Sequence, residues 1–262
     1  STCFPILFKY INQKKITVVW TLHDCWSMTG ECMYFTMSKC DKWKTGCRKC
    51  GQLSAYFPID YSRYMWKKKR EMFTAVNKMV IATPSKWLSN LTKMSYLSKY
   101  DIKVINNGID LSIFRLRESD FRNKYKTKKY IVLGVALSWG IRKGLDVMQE
   151  LAKTLPDNYS IVMVGTDEKV DQLLPSRIIS IHCTHDQKEL AEIYSAADVF
   201  VNPTREDNFP TTNIESLACG TPVITFKTGG SPEMLDETCG RVVECNNISK
   251  LEKSIKDVCE ND

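Results

Sequence analysis

The 262-residue sequence predicts an α/β protein, with a doubly wound, Rossmann-like parallel sheet in its C-terminal part and a partial Rossmann-like domain before it. Three observations predict this. Short runs of strand length recur along the chain and are near-continuously apolar rather than alternating, as parallel strands covered on both faces require. Segments with apolar residues at helical spacing separate them. Turn and capping residues punctuate the two kinds of segment.

Taken in order, Ile16 to Leu22 reads as a buried strand that ends in His23-Asp24. Met79 to Ala82 is a second strand, ending in Thr83-Pro84-Ser85, where Ser85 can cap a helix that begins near Lys86. Lys103 to Ile105 is a third and leads into the turn Asn106-Asn107-Gly108. Tyr130 to Leu137, Ser160 to Val164, Ile178 to Ile181, Asp198 to Val201 and Pro222 to Phe226 complete the strands. Leu145, Met148, Leu151, Ala152 and Leu155 share one helical face, as do Leu190, Ile193, Tyr194 and Ala197. The polar stretch Leu116 to Lys129 reads as a linker and places a domain boundary near 110–128. The expected division is a first domain over 1–115, with a Cys-rich insert at 25–50, and a second over 116–262. No internal repeat or low-complexity tract is seen.

Hydrophobic content of 43% and charged content of 26% are those of a soluble globular protein. No apolar run approaches the 18 or more residues that span a bilayer. The first residues lack a basic segment ahead of their short apolar part and do not read as a signal peptide. There is no initiator Met, which fits a piece of a longer chain. The expected location is cytoplasmic, peripheral at the inner face of the membrane. The net charge of +7 is matched by 60–105 alone, with ten Lys/Arg against three Asp/Glu, including Lys67, Lys68, Lys69 and Arg70. A solvated helix face explains such a run. So does a surface turned toward an anionic membrane or a polyprenyl-phosphate acceptor. Base-reading or stacking elements for nucleic acid cannot be placed, and no nucleic-acid partner is expected.

The most informative stretch runs from Asn202 to Glu215, N-P-T-R-E-D-N-F-P-T-T-N-I-E, then S-L-A-C-G-T-P-V-I. A strand edge gives way to an acidic loop. A short helix then opens with Thr211 and Thr212 and stops at Gly220, with Pro222 beyond. Free backbone N–H groups at that helix start can hold an anion. Carboxylates beside an anion site suit sugar hydroxyls. Glu215 has a second reading, a capping box with Thr212, and the two roles can coexist.

This segment resembles the donor-binding signature of the retaining GT-B glycosyltransferases of family 4, in which an acidic residue and a Glu at this spacing grip a nucleotide sugar. Asp207 holds the first position, with Glu206 beside it, so either carboxylate can be the one that reaches the sugar. Thr83-Pro84-Ser85-Lys86-Trp87 is similar to the family's T-P-S segment, and Asn106-Asn107-Gly108-Ile109-Asp110 to its interdomain turn. Gly134 to Gly144 resembles its first strand and basic loop of the C-terminal domain. Thr228-Gly229-Gly230 to Glu233 matches its late glycine loop, with Ser231 read as an N-cap and Pro232 as the first helical residue. The family's first strand and Gly-rich loop precede the position of Ser1. This implies half an N-terminal domain and most of a C-terminal one, and leaves an inactive, truncated relative as an alternative.

The resemblance implies a hexosyltransferase of bacterial surface-polysaccharide type, drawing on a UDP- or GDP-linked sugar donor and a lipid-linked or oligosaccharide acceptor. It implies retention of anomeric configuration through a same-face mechanism. Arg142 and Lys143 stand before the helix at Gly144-Leu145, where they and its N-terminus can meet the diphosphate. The family's usual earlier Arg is replaced by Ser138, so Arg142 substitutes for it or one contact is missing. Cations on the diphosphate need no divalent metal, and no Asp-x-Asp is seen to hold one. Glu215 is read as the ribose ligand and Asp207, with Asn208, Phe209, Pro210 and Thr211, as the sugar ligand. His23 matches a family His near the donor. His182 and His185 read as structural, with the backbone there reading the base. An epimerase of the same fold would need acid/base groups that cannot be assembled here, and a phosphorylase a marked pyridoxal-phosphate Lys. A zinc-stabilised basic binding module is the rival from another class.

Eleven cysteines, five of them between Cys25 and Cys50, are unusual, and the odd total argues against a complete disulfide framework. Cys47-x-x-Cys50 is a chelating pair that Cys32 and Cys40 can complete as a structural tetrathiolate zinc site, with Cys25 an alternative ligand. Buried free thiols and disulfides are the other readings. Some bacterial family members resemble this insert.

Overall fold

A computed structural model describes residues 4–52 and 59–260. It divides into two compact units, Ser1–Asn106 and Asn107–Asp262.

The first unit holds α1 (Phe4–Gln13), β1 (Val18–Thr21), α2 (Ser62–Thr74), β2 (Met79–Thr83), α3 (Lys86–Lys93) and β3 (Asp101–Val104). The strands form a parallel sheet in the order β1-β2-β3. Ser85 caps α3 as its sequence position predicts, its Oγ accepting from the Leu88 N–H at 3.0 Å. Phe73 packs edge-on to Trp20 at 5.0 Å and tilted against Phe8 at 5.5 Å. Between β1 and α2 the described chain has only two short 3₁₀ turns, Trp26–Met28 and Lys42–Lys44, yet buries Cys25, Met28, Phe35, Trp43 and Cys47.

The second unit holds α4 (Phe121–Lys124), β4 (Tyr130–Val135), α5 (Leu145–Thr154), β5 (Tyr159–Val164), α6 (Glu168–Asp171), β6 (Ile178–Ile181), α7 (Gln187–Ala196), β7 (Val199–Asn202), α8 (Thr211–Ala218), β8 (Val223–Phe226), β9 (Gly240–Val243) and α9 (Ile248–Glu260). Its strands form a six-stranded parallel sheet in the order β6-β5-β4-β7-β8-β9. Both faces are covered, because successive residues of β4 point opposite ways. Val132 packs with Leu145, Met148 and Leu151 of α5 and Leu251 and Ile255 of α9. Ile131 and Leu133 pack with Ala191 and Tyr194 of α7. The doubly wound sheet is therefore as expected, with β9 added at one edge.

The chain leaves β4 in one direction, through β5 and β6, and returns to its other side for β7, β8 and β9. The strand order thus reverses between β4 and β7, and the crevice beyond the carboxyl ends of such strands is where doubly wound folds take ligands.

Two local expectations are corrected. The stretch 116–129 does not behave as a free linker. Phe121 is buried in the second unit, and Arg122 Nη2 donates to Asp198 Oδ2 at 2.7 Å. The compact units divide between Asn106 and Asn107. Ser231 is not an N-cap: Gly230 takes that place and Ser231 is the first residue of a 3₁₀ turn, Ser231–Met234.

Candidate active site

Three loops meet beyond the carboxyl ends of β4, β7 and β8. The first, after β4, ends in a 3₁₀ turn over Ile141–Lys143 and then Gly144, whose φ of +78° opens α5. Few side chains fit at Gly144: a Cβ there would lie 2.5 Å from the Pro203 carbonyl oxygen. The second loop, after β7, carries Glu206 and Asp207. The third, after β8, brings Gly229 so near that an added Cβ would sit 1.7 Å from the Asp207 carbonyl oxygen, at φ +54°.

The loops are laced together by named contacts. Lys143 Nζ lies 2.5 Å from Asp207 Oδ2, with side chains 24% and 14% exposed. Asp207 Oδ1 accepts from the Asn208 N–H at 2.9 Å. The Arg205 N–H donates to the Arg142 carbonyl at 2.8 Å, and Arg142 Nη1 donates to the Glu206 carbonyl at 3.2 Å. Thr228 Oγ1 donates to the Thr204 carbonyl at 2.7 Å. Asn208 and Phe209 are buried, and Asn107 Nδ2 donates to the Phe209 carbonyl at 3.2 Å.

α8 follows directly. It starts at Thr211 after Pro210, whose side chain makes no cap hydrogen bond, and the Asn213 N–H donates to the Pro210 carbonyl at 3.2 Å. The Thr212–Glu215 capping box does not form. Glu215 turns to Thr211 and to Tyr194, whose Oη donates to Glu215 Oε2 at 3.2 Å. Burial raises the Glu215 carboxyl above its ordinary value, against the lowering effect of those two hydrogen bonds. Burial, with Glu215 beside it, also raises the Tyr194 phenol.

The structure thus draws Arg142, Lys143, Glu206 and Asp207 into one cluster, with Asn208, Phe209 and Pro210 leading to Thr211 and Glu215. Glu206 is buried at 5% exposure, and Asp207 is the carboxylate that meets the lysine. His23 belongs to the first unit, where it follows β1 and is exposed. Asp171 Oδ2 lies 2.6 Å from His182 Nε2 and raises its pKa, while at His185 it is the backbone N–H that donates, to Glu189 Oε2 at 2.6 Å.

Arg205 escaped the sequence reading. Its guanidinium makes a bidentate pair with Asp146, 2.7 Å to each oxygen, and donates to Asn246 Oδ1 at 2.8 Å and to the Ile141 carbonyl. The pair holds the Asp146 carboxyl below its ordinary value. Asn213 was also missed. It is fully buried and accepts from Asn202 Nδ2 at 2.7 Å, pinning α8 to the end of β7. Neither has a local signal, since each partner is distant in sequence.

The four cysteines expected to bind metal, Cys32, Cys40, Cys47 and Cys50, line one cavity of the first unit, and Cys25 does not. All are free thiols. Among the described residues no three His, Cys, Asp or Glu side chains stand ready to hold a metal ion. Among the same residues, no helix is long and apolar enough to cross a membrane.

Comparison with known proteins shows the family and the fold. The profile of the family described as "Glycosyl transferases group 1" matches residues 116–262, more than half of the chain. The putative colanic acid biosynthesis glycosyl transferase WcaC of Escherichia coli is 27% identical over 246 residues, which is 92% of this chain and 59% of WcaC. The chain therefore spans about three fifths of that relative's length. Among solved structures, Anabaena Alr3699/HepE in complex with UDP superposes with a TM-score of 0.73 at 14% identity, covering 99% of this chain and 67% of that one. Sucrose-phosphate synthase from Thermosynechococcus elongatus gives 0.62 at 23% identity, over 73% of this chain and 52% of the other. These two likenesses show the shared fold. With the family profile lying over the whole described sheet and loops of the second unit, the chain belongs to the group 1 glycosyl transferases.

Proposed function

We propose that the second unit binds a nucleotide-sugar donor and that the chain is part of a retaining hexosyltransferase of surface-polysaccharide synthesis. The observation that carries this reading is the convergence of Lys143, Arg142 and Asp207 at the point where the strand order reverses, ahead of the open N-terminus of α8. Two relatives support it: WcaC by its name, and HepE by its complexes with UDP and UDP-glucose.

When the anomeric bond of the donor breaks, negative charge grows on the departing diphosphate. Arg142, Lys143 and the N-termini of α5 and α8 supply fixed positive charge there. These cations do the work that a divalent metal does in other transferases. Glu215 accepts from the ribose hydroxyls. Asp207 and the backbone of Asn208 to Thr211 hold the transferred hexose, with Glu206 the alternative carboxylate. By the family resemblance His23 joins the catalytic set, and the leaving phosphate helps deprotonate the acceptor hydroxyl on the same face. The acceptor is a polyprenyl-linked or oligosaccharide glycan, reached at the inner face of the membrane by the basic surface of 60–105.

A thermal-shift panel of UDP-, GDP- and dTDP-sugars tests the donor site. A ligand at 100 times its Kd adds about 2.7 kcal/mol of stability. Stabilisation by one base, abolished in Lys143→Ala, supports the reading; a flat panel removes the donor assignment.

A further inference from the structure

We propose that Cys32, Cys40, Cys47 and Cys50 close on a single structural Zn²⁺ that clips the segment between β1 and α2. All four line one cavity of about 320 Å³. Cys47 sits near Cys32, Cys40 and Cys50, and Cys32 near Cys40 and Cys50. As they stand the thiols are not in ligand geometry.

The backbone is set for it. Lys39 and Lys49, at φ +49° and +45°, each stand immediately before a cysteine, Cys40 and Cys50. Left-handed backbone at a residue with a side chain is costly and persists where the surroundings fix it. The Gly30 N–H already donates to Cys47 Sγ at 3.1 Å, the kind of outer contact that orients a thiolate ligand.

Two further observations point to an anionic centre. Trp43 lines the cavity at 1% exposure, and its Nε1 has no hydrogen-bond partner. A buried donor of this kind wants an acceptor, and a metal-bound thiolate is one. Lys69, also 1% exposed, has its Nζ 2.8 Å from the Trp26 carbonyl oxygen, with Glu31 the foremost side chain favouring its charge and Cys32 and Cys47 next. A buried ammonium needs an anion. Zn²⁺ replacing four thiol protons leaves a centre of net charge −2, which Lys69 partly offsets.

The need is also physical. From 29 to 52 the chain has no strand and one 3₁₀ turn, and the apolar side chains it buries in the first unit's core are Phe35, stacked on Trp43 at 4.7 Å, Trp43 and Cys47. So long a segment without regular structure rarely holds one shape unaided, and a metal can supply the missing folding energy. The zinc does no chemistry, and all four protein ligands leave no open position for substrate.

The test is metal analysis of the full chain, made in zinc-containing medium and purified without chelator. About one zinc per chain is expected, as for a closed tetrahedral site. Cys183→Ser, at an exposed thiol elsewhere, should keep it, and Cys47→Ser with Cys50→Ser should lose it. If the double variant fails to fold, titration of the parent chain with a mercurial decides: zinc should leave as four thiols react. Co²⁺ in place of zinc should show the visible bands of tetrahedral thiolate coordination. Zinc below about a tenth of an equivalent overturns the site. So does an unreduced mass lower by two hydrogens per bridge, which would mean disulfides. Nucleotide binding in the same sample reads the donor site separately.

Discussion

Lys143 Nζ and Asp207 Oδ2 stand 2.5 Å apart, joining the loop after β4 to the loop after β7 where the strand order reverses. Each charge of the pair thus neutralises the other. On the proposed reading, a donor diphosphate would take the place of a carboxylate as the partner of Lys143 and free Asp207 for sugar hydroxyls. Lys143→Ala should lower turnover by about 10²–10³, the usual effect of removing one donor from developing charge. Stability should fall by about 1–2 kcal/mol, between the values for exposed and fully buried pairs, because Asp207 keeps the Asn208 N–H. Steady-state kinetics and urea unfolding check both. An unchanged rate would take Lys143 out of the site.

Glu215 makes a pH-dependent prediction. Burial raises its folded-state pKa above the ordinary value of 4.5, so between those two values the folded chain holds a proton the unfolded chain has released. The stability from this group is complete below the unfolded pKa and is lost as pH rises through the folded one. Glu215→Gln should abolish that decline in unfolding measured across the window. It should also weaken nucleotide binding about 10- to 100-fold, the loss of a hydrogen bond to a charged acceptor. Equal pH profiles for the two proteins would remove the buried-carboxylate account.

Arg205 positions rather than binds. Its fork spans Asp146 at the start of α5, Asn246, and the carbonyl of Ile141 in the turn that presents Arg142 and Lys143. A lysine keeps the charge but cannot make this set of contacts. Arg205→Lys should therefore weaken donor binding about tenfold, close to 1.4 kcal/mol, with the rate on bound donor little changed. Calorimetric titration with single-turnover kinetics separates the two. A rate loss without an affinity loss would place Arg205 against the reacting atoms instead.

What was legible in the sequence was what lies close together in it. β4 to β8 announce themselves as apolar runs, and Ser85 caps its helix because its target is three residues away. β9, Gly-Arg-Val-Val, was missed because it is an edge strand with Arg241 and Val242 exposed. Ser231 has the composition of a cap but sits one residue too late, since the turn closes from its N–H to the Thr228 carbonyl. In the site, Lys143 and Asp207 were each recognisable by motif. That they hold one another was not, because 64 residues separate them and only the reversal of strand order brings the loops together. Arg205 was invisible for the same reason.

Two glycines flanking the basic turn offer a matched pair. Gly140 has extended backbone, φ −174°, and an added Cβ meets nothing within 4 Å. Gly140→Ala should leave stability within about 0.5 kcal/mol. Gly144 has φ +78°, and its Cβ would lie 2.5 Å from the Pro203 carbonyl oxygen and 2.6 Å from Pro203 Cγ. Neither neighbour yields easily, because Pro203 directly follows β7. Gly144→Ala should cost about 2–3 kcal/mol from backbone strain and overlap. It should also push the Ile141–Lys143 turn away from Asp207, so that donor affinity falls as well. Urea midpoints and nucleotide titrations of the two variants provide the comparison. If they behave alike, the left-handed Gly144 does not set the position of Lys143, and the close approach of the turn to Pro203 is not what aims that lysine at the diphosphate.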